Sequence, residues 1–140
     1  MKIPLQLEPL QTAVDEAEYR RVFDAMQRDH VDGVVITPAL ENYTHRHLLG
    51  RLAQQYHLPA ICAYTDTVET GALMSYAWDH KAADRRLAAQ IVEILNGGNP
   101  AEMPYFQETH WELVINLKAA KELGLEIPAG LIAGADRVIE

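Results

Sequence analysis

The order of apolar and polar positions divides the chain into short strands and amphipathic helices. Asp32-Gly33-Val34-Val35-Ile36-Thr37-Pro38 sets three β-branched apolar residues between turn residues. The run is too short for a helix and lacks polar alternation. It therefore predicts a strand covered on both faces, with Val34, Val35 and Ile36 buried and residues 33–37 central in their sheet. Helical spacing flanks it, from Asp15 to His30 and from Tyr43 to His57, and a second apolar run follows at Pro59-Ala60-Ile61-Cys62-Ala63. Strand, helix and strand at this spacing form a right-handed crossover in a parallel sheet. Ligands of such sheets sit beyond the carboxyl ends of the strands, which selects residues 37–42 and 64–68.

The remaining pattern fills in around this unit. Ile3-Pro4-Leu5-Gln6-Leu7-Glu8 alternates apolar and polar and predicts a strand near an edge. Asp15 is placed to cap the first helix, with Glu16 and Glu18 in its first turn, where acid suits the helix dipole. Asn42 or Thr44 would cap the second helix, with Leu48, Leu49, Leu52 and Tyr56 facing the sheet. A polar turn at residues 66–70 stops at Gly71, and Leu73-Met74-Ser75-Tyr76-Ala77 predicts another strand. Asp79 opens the longest helix, which carries Leu87, Ile91, Ile94 and Leu95 and ends at Asn96-Gly97-Gly98-Asn99-Pro100. Residues 103–108 read as extended, Glu112-Leu113-Val114-Ile115-Asn116 as a strand, and residues 117–123 as a helix closed by Gly124. Pro128 opens a last short helix.

Composition narrows the class. A chain of 140 residues, 49% apolar and 23% charged, is long enough for one folded domain. A net charge of −8 disfavours nucleic acid and anionic membrane as partners. No apolar run approaches the ~20 residues of a membrane helix. Met1-Lys2 followed at once by Pro4 and polar residues gives no signal peptide. The lone Cys62 excludes an internal disulfide and leaves the compartment open.

Candidate chemistry is sparse. His45 and His47, two apart on a helix, point to different faces and cannot share a metal. His30 and His57 read as cations complementing helix C-termini. Ser75 lacks the glycine-flanked elbow of a hydrolase nucleophile, and Cys62 has no neighbouring histidine. No glycine-rich phosphate loop follows any strand. Neither a cofactor nor catalysis is expected. Tyr64, Tyr76 and Trp78 lie near strand ends, where rings can hold a planar or apolar ligand or fill core and subunit contacts.

Three strings carry a resemblance: Gly71-Ala72-Leu73-Met74-Ser75-Tyr76, Ile94-Leu95-Asn96-Gly97, and residues 112–128, ELVINLKAAKELGLEIP. Leu58-Pro59-Ala60-Ile61, His45-Arg46 and the ending Ala135-Asp136-Arg137-Val138-Ile139-Glu140 extend it over almost the whole chain. The sequence resembles the solute-binding components of ABC transporters of the tryptophan/tyrosine type. That resemblance implies an α/β, three-layer sandwich with a largely parallel sheet, the Rossmann-like lobe of a type I periplasmic binding protein. Members carry a signal peptide, an N-terminal lobe, and an opening strand and helix of the second lobe before the equivalent of Ile3. This chain matches the C-terminal lobe alone, whether as a truncated gene, a fragment or a stand-alone descendant. Pro38-Ala39-Leu40 stands where the family usually has Pro-Asp-Pro, and Ala77-Trp78 where it has Gly-Pro.

The implied task is reversible capture of a small solute, such as an amino acid, by closure of two lobes. Thr37, Glu41 and Asn42 would offer polar contacts, Tyr64 and Tyr76 ring faces, and Thr65 and Ser75 hydroxyls. An ABC permease is the implied partner. The implied location is periplasmic, or cytoplasmic if the chain is the complete gene product. The strand and helix of residues 73–97 would pack on the missing lobe or on a partner chain, making a homodimer or higher oligomer the expected assembly. The competing readings are an orphaned lobe serving as an oligomeric structural module without solute, and a small cytoplasmic enzyme.

Overall fold

Among residues 3–11, 14–107 and 109–140, which the computed structural model describes, five strands form one sheet. They are β1 (Val34–Ile36), β2 (Ala60–Cys62), β3 (Met74–Trp78), β4 (Trp111–Asn116) and β5 (Arg137–Ile139), in that spatial order. The pairs β1–β2, β2–β3 and β4–β5 are parallel, and β3–β4 is antiparallel. The helices are α1 (Glu16–Arg28), α2 (Leu40–Thr44), α3 (Arg46–Gln55), α4 (Thr65–Glu69), α5 (His80–Leu95), α6 (Leu117–Glu122) and α7 (Ala129–Ala133). A 3₁₀ turn spans Pro100–Glu102. The α/β class and the largely parallel, helix-flanked sheet expected from the sequence are both present.

Register fixes which side chains share a face. Ile36, Cys62, Ser75 and Val114 line up across the sheet. They pack beneath Tyr19 and Phe23 of α1, Leu48, Leu49 and Leu52 of α3 and Val68 of α4 to form the core. The neighbouring row, Val35, Ile61, Met74 and Ile115, points to the other face, as do Tyr76 and Trp78. There Tyr76, Trp78 and Trp111 are about half exposed.

Several capping contacts explain where elements start. Asp15 accepts from the Glu18 amide at 2.9 Å, and Asp79 accepts from Ala82 at 3.0 Å. Buried Asn116 caps α6 through the Ala119 amide and donates to the Val68 carbonyl, both at 2.9 Å, so one side chain joins β4, α6 and α4. Glu18 is held by Arg21 and by the Gln11 amide, which together keep its carboxyl down at about 2.

Four expectations are corrected. β1 is an edge strand rather than a central one, because among the described residues only β2 pairs with it, and Val35 is 65% exposed. The Ile3–Glu8 alternation makes no strand: the segment has no ladder partner, Ile3, Leu5 and Leu7 face solvent, and Gln6 bonds Asp29 instead. The helix expected from Tyr43 to His57 breaks at His45 into α2 and α3, so Asn42 lies inside α2 and Thr44 bonds back to the Leu40 carbonyl. His30 and His57 do more than complement a dipole. Both take left-handed backbone, φ 53° and 52°, and close α1 and α3 in the position glycine usually fills. The following amides reach back to Met26 and Ala53 at 3.0 and 2.9 Å. The strand β5, which the periodicity did not predict, and Glu108, which falls outside the described residues, complete the account.

Candidate functional site

Because β1, β2 and β3 run parallel, the segments that leave them emerge at one end of the sheet, and the antiparallel β4 starts there. Thr37 follows β1, Tyr64 precedes α4, Trp78 ends β3, and Trp111 lies opposite it in register. Sequence spacing alone anticipated this convergence for residues 37–42 and 64–68.

Aromatic rings form the wall of the site. Tyr43 of α2 and Tyr64 lie 4.9 Å apart between centroids, and Tyr64 and His80 lie 5.2 Å apart. The Trp78 indole N–H points edge-on at the His80 ring, 2.6 Å from Nδ1 and 2.7 Å from Nε2, and His80 Nε2 lies 3.3 Å from the Ala63 carbonyl. Partial burial, with Tyr43 nearby, raises the Tyr64 hydroxyl above the usual tyrosine range, so the ring stays neutral.

A charge pair stands beside the rings. Arg46 Nε is 3.3 Å from Asp66 Oδ2, both half-buried, and Arg46 Nη1 donates to the Tyr43 carbonyl at 3.0 Å. The guanidinium also sits 4.5 Å from the Tyr43 ring centroid, in cation–π geometry. One patch thus offers flat faces, one cation and one anion.

The sequence-selected residues divide. Tyr64 is in the wall, and Thr65 begins α4 next to it. Thr37 and Asn42 lie at the same end, but Asn42 is already engaged. It donates to the Thr37 carbonyl at 3.0 Å and accepts from the Tyr19 hydroxyl at 3.0 Å. Its partner Tyr19 is pushed up to about 12, first by burial and then by the charge of Glu41. Glu41 is exposed, and its carbonyl receives the His45 amide. The structure does not bring Ser75 and Tyr76 together: strand alternation sends them to opposite faces. Ser75 is fully buried in the core, and Tyr76 stacks on Trp111 at 5.4 Å.

Tyr43, Arg46 and His80, which the structure adds to this candidate site, lie outside the residues the sequence selected, and Asp66 was selected only as part of residues 64–68. Arg46 opens α3 just beyond the break at His45 and reaches back over Tyr43 of α2. His80 meets the others only through the sheet topology, which no local pattern reveals.

Reactive groups are muted. Burial pushes the Cys62 thiol up to about 11, and it donates to the Tyr64 and Met74 carbonyls at 3.4 Å. Among the described residues no three of His, Cys, Asp and Glu are grouped to hold a metal ion.

Comparison with protein families matches residues 2–139 to the model of the ABC transporter substrate binding protein. The chain belongs to that family. Its structural neighbours agree. A conserved domain protein from Vibrio cholerae shares 25% identity with a TM-score of 0.77, over 90% of this chain and 42% of that one. An ABC domain from Streptococcus pneumoniae, in complex with L-Trp, shares 27% identity with a TM-score of 0.77, over 89% and 42%. A ligand-free, open substrate binding protein from Clostridium difficile, at 19% identity and a TM-score of 0.59, shares the fold. The chain therefore spans about two-fifths of the length of these neighbours. Comparison with curated proteins gives no match.

Proposed function

We propose that this chain forms one wall of the solute site of an ABC importer's binding component, working outside the cytoplasmic membrane with an ABC permease as partner. The solute is a small molecule with both a planar part and a charged part, an amino acid being the simplest choice. The observation that carries this reading is the Tyr43–Tyr64–His80 ring series beside the Arg46–Asp66 pair, at the carboxyl end of the parallel strands. Rings accept the planar part, Arg46 a carboxylate and Asp66 an ammonium group. The L-Trp complex of the Streptococcus pneumoniae neighbour supports the same class of solute. Thr37, Glu41, Asn42 and Thr65 would line the margin; Ser75, inside the core, is left out.

A single wall binds weakly. Losing ~4 kcal/mol of contacts from an opposing lobe turns a micromolar dissociation constant into about a millimolar one. Calorimetric titration of the chain with a panel of amino acids is expected to show saturable, roughly millimolar binding of aromatic members. Tyr64→Ala should weaken it at least tenfold with unchanged circular dichroism. Absence of saturable binding by any amino acid, or a Tyr64→Ala variant that binds as well as the parent, would overturn the assignment.

A further inference from the structure

Packing does little to hold α2 in place. The helix is five residues long, none of them is buried, and no side chain caps its first turn. A helix this short does not stand on its own in water. Yet it carries Tyr43, and the ring wall needs that side chain 4.9 Å from Tyr64 and under the Arg46 guanidinium at 4.5 Å. Two of the polar side chains at α2 bond only within its own turns. Thr44 donates to the Leu40 carbonyl, and His45 Nδ1 lies 3.0 Å from the Glu41 carbonyl. Such local bonds close the helix without fixing where it sits.

We propose that Tyr19 and Asn42 are positioning residues of the wall: the Tyr19 hydroxyl holds the Asn42 amide, the amide holds the end of β1, and α2 is thereby fixed with Tyr43 facing Tyr64. The inference rests on the solute-site reading above and adds to it a residue of the core. Asn42 Nδ2 donates to the Thr37 carbonyl at 3.0 Å and lies 3.3 Å from Thr37 Oγ1, while Oδ1 accepts from Tyr19 at 3.0 Å. A carbonyl can only accept, so Thr37 decides which way the amide is turned and makes Tyr19 the donor. Both ends of the amide are thus engaged within the chain.

Tyr19 is a firm anchor. Its side chain is fully buried in the core, and its ring also meets that of His45, the residue that closes α2, at 5.2 Å. One side chain therefore grips α2 at its middle and at its end. The hydroxyl keeps its proton, because burial and then the Glu41 charge push it up to about 12. The charged side of the site is held separately, since Arg46 opens α3 and pairs with Asp66 of α4. Loosening α2 should accordingly cost the planar part of a solute more than its charged part.

Tyr19→Phe removes one buried hydroxyl, and Asn42→Ala removes its acceptor. In the chain without solute, each should speed hydrogen exchange of the Tyr43 and His45 amides, which bond the Ala39 and Glu41 carbonyls, about tenfold or more. Each should also weaken the nuclear Overhauser contact between the Tyr43 and Tyr64 rings, while the β2 and β3 amides stay protected and melting stays within about 5 °C of the parent. The double variant should be no worse than Asn42→Ala, since both changes break one link. In calorimetric titration, Tyr19→Phe should lower affinity for tryptophan about threefold or more and affinity for alanine less. Exchange and ring contact unchanged in both variants, exchange rising evenly through the sheet, or single effects that simply add would overturn the positioning role. So would a Tyr19→Phe variant that keeps the parent's affinity for tryptophan. A parent that binds no amino acid would overturn the solute reading instead, and the solute-free measurements would still decide whether Tyr19 and Asn42 fix α2.

Discussion

At the scale of single residues, backbone conformation contributes what side-chain type conceals. His57 holds φ of 52° and His30 φ of 53°, a region where a β-carbon crowds the neighbouring carbonyl and glycine does not. His57→Gly should therefore raise stability by about 0.5–1 kcal/mol, the strain relieved exceeding the added freedom of the unfolded chain. His57→Val should lower it by more, and thermal melting of the two variants checks the sign. No residue-level pattern announced this. A histidine at a helix end reads as a charge, and only the Leu58 amide reaching Ala53 shows that its backbone conformation matters. Ser75 gives the same lesson in reverse. Its hydroxyl was legible as a ligand group, but one residue of strand alternation puts it in the core.

At the scale of elements, the sequence was legible where caps and apolar runs coincide. Asp15, Asp79 and the Gly97 region bound α1 and α5 where the pattern said they would. It was less legible for β5, only three residues long, and for the α2–α3 break, where a local turn at His45 overrides a continuous helical period. Asn116 shows how an element boundary also carries tertiary structure. Its amide group satisfies one donor at the start of α6 and one carbonyl of α4, away from solvent. Asn116→Ala leaves both unpaired and should cost about 2–3 kcal/mol, read as a lower midpoint in urea with the slope unchanged. Asn116→Asp should retain the cap but lose the donor to Val68, falling between the parent and the alanine variant.

At the scale of the whole molecule, the class of fold was legible because parallel strands buried beneath helices leave continuous apolar runs. Strand order was not. Nothing in Val34-Val35-Ile36 distinguishes a central strand from an edge one; the distinction rests on whether another segment supplies a ladder, and among the described residues only β2 does. The candidate site was half legible for the same reason: strand ends can be located along the chain, but which side chains meet there follows from the sheet. The uncovered face has an optical consequence. The protein has two tryptophans, Trp78 and Trp111, and they lie opposite each other on that face, 43% and 49% exposed. Its intrinsic emission therefore samples the surface rather than the interior. Unfolding strips the remaining cover from both indoles and will shift that emission to the red, whereas any molecule that comes to rest on the β3–β4 ladder will shift it to the blue.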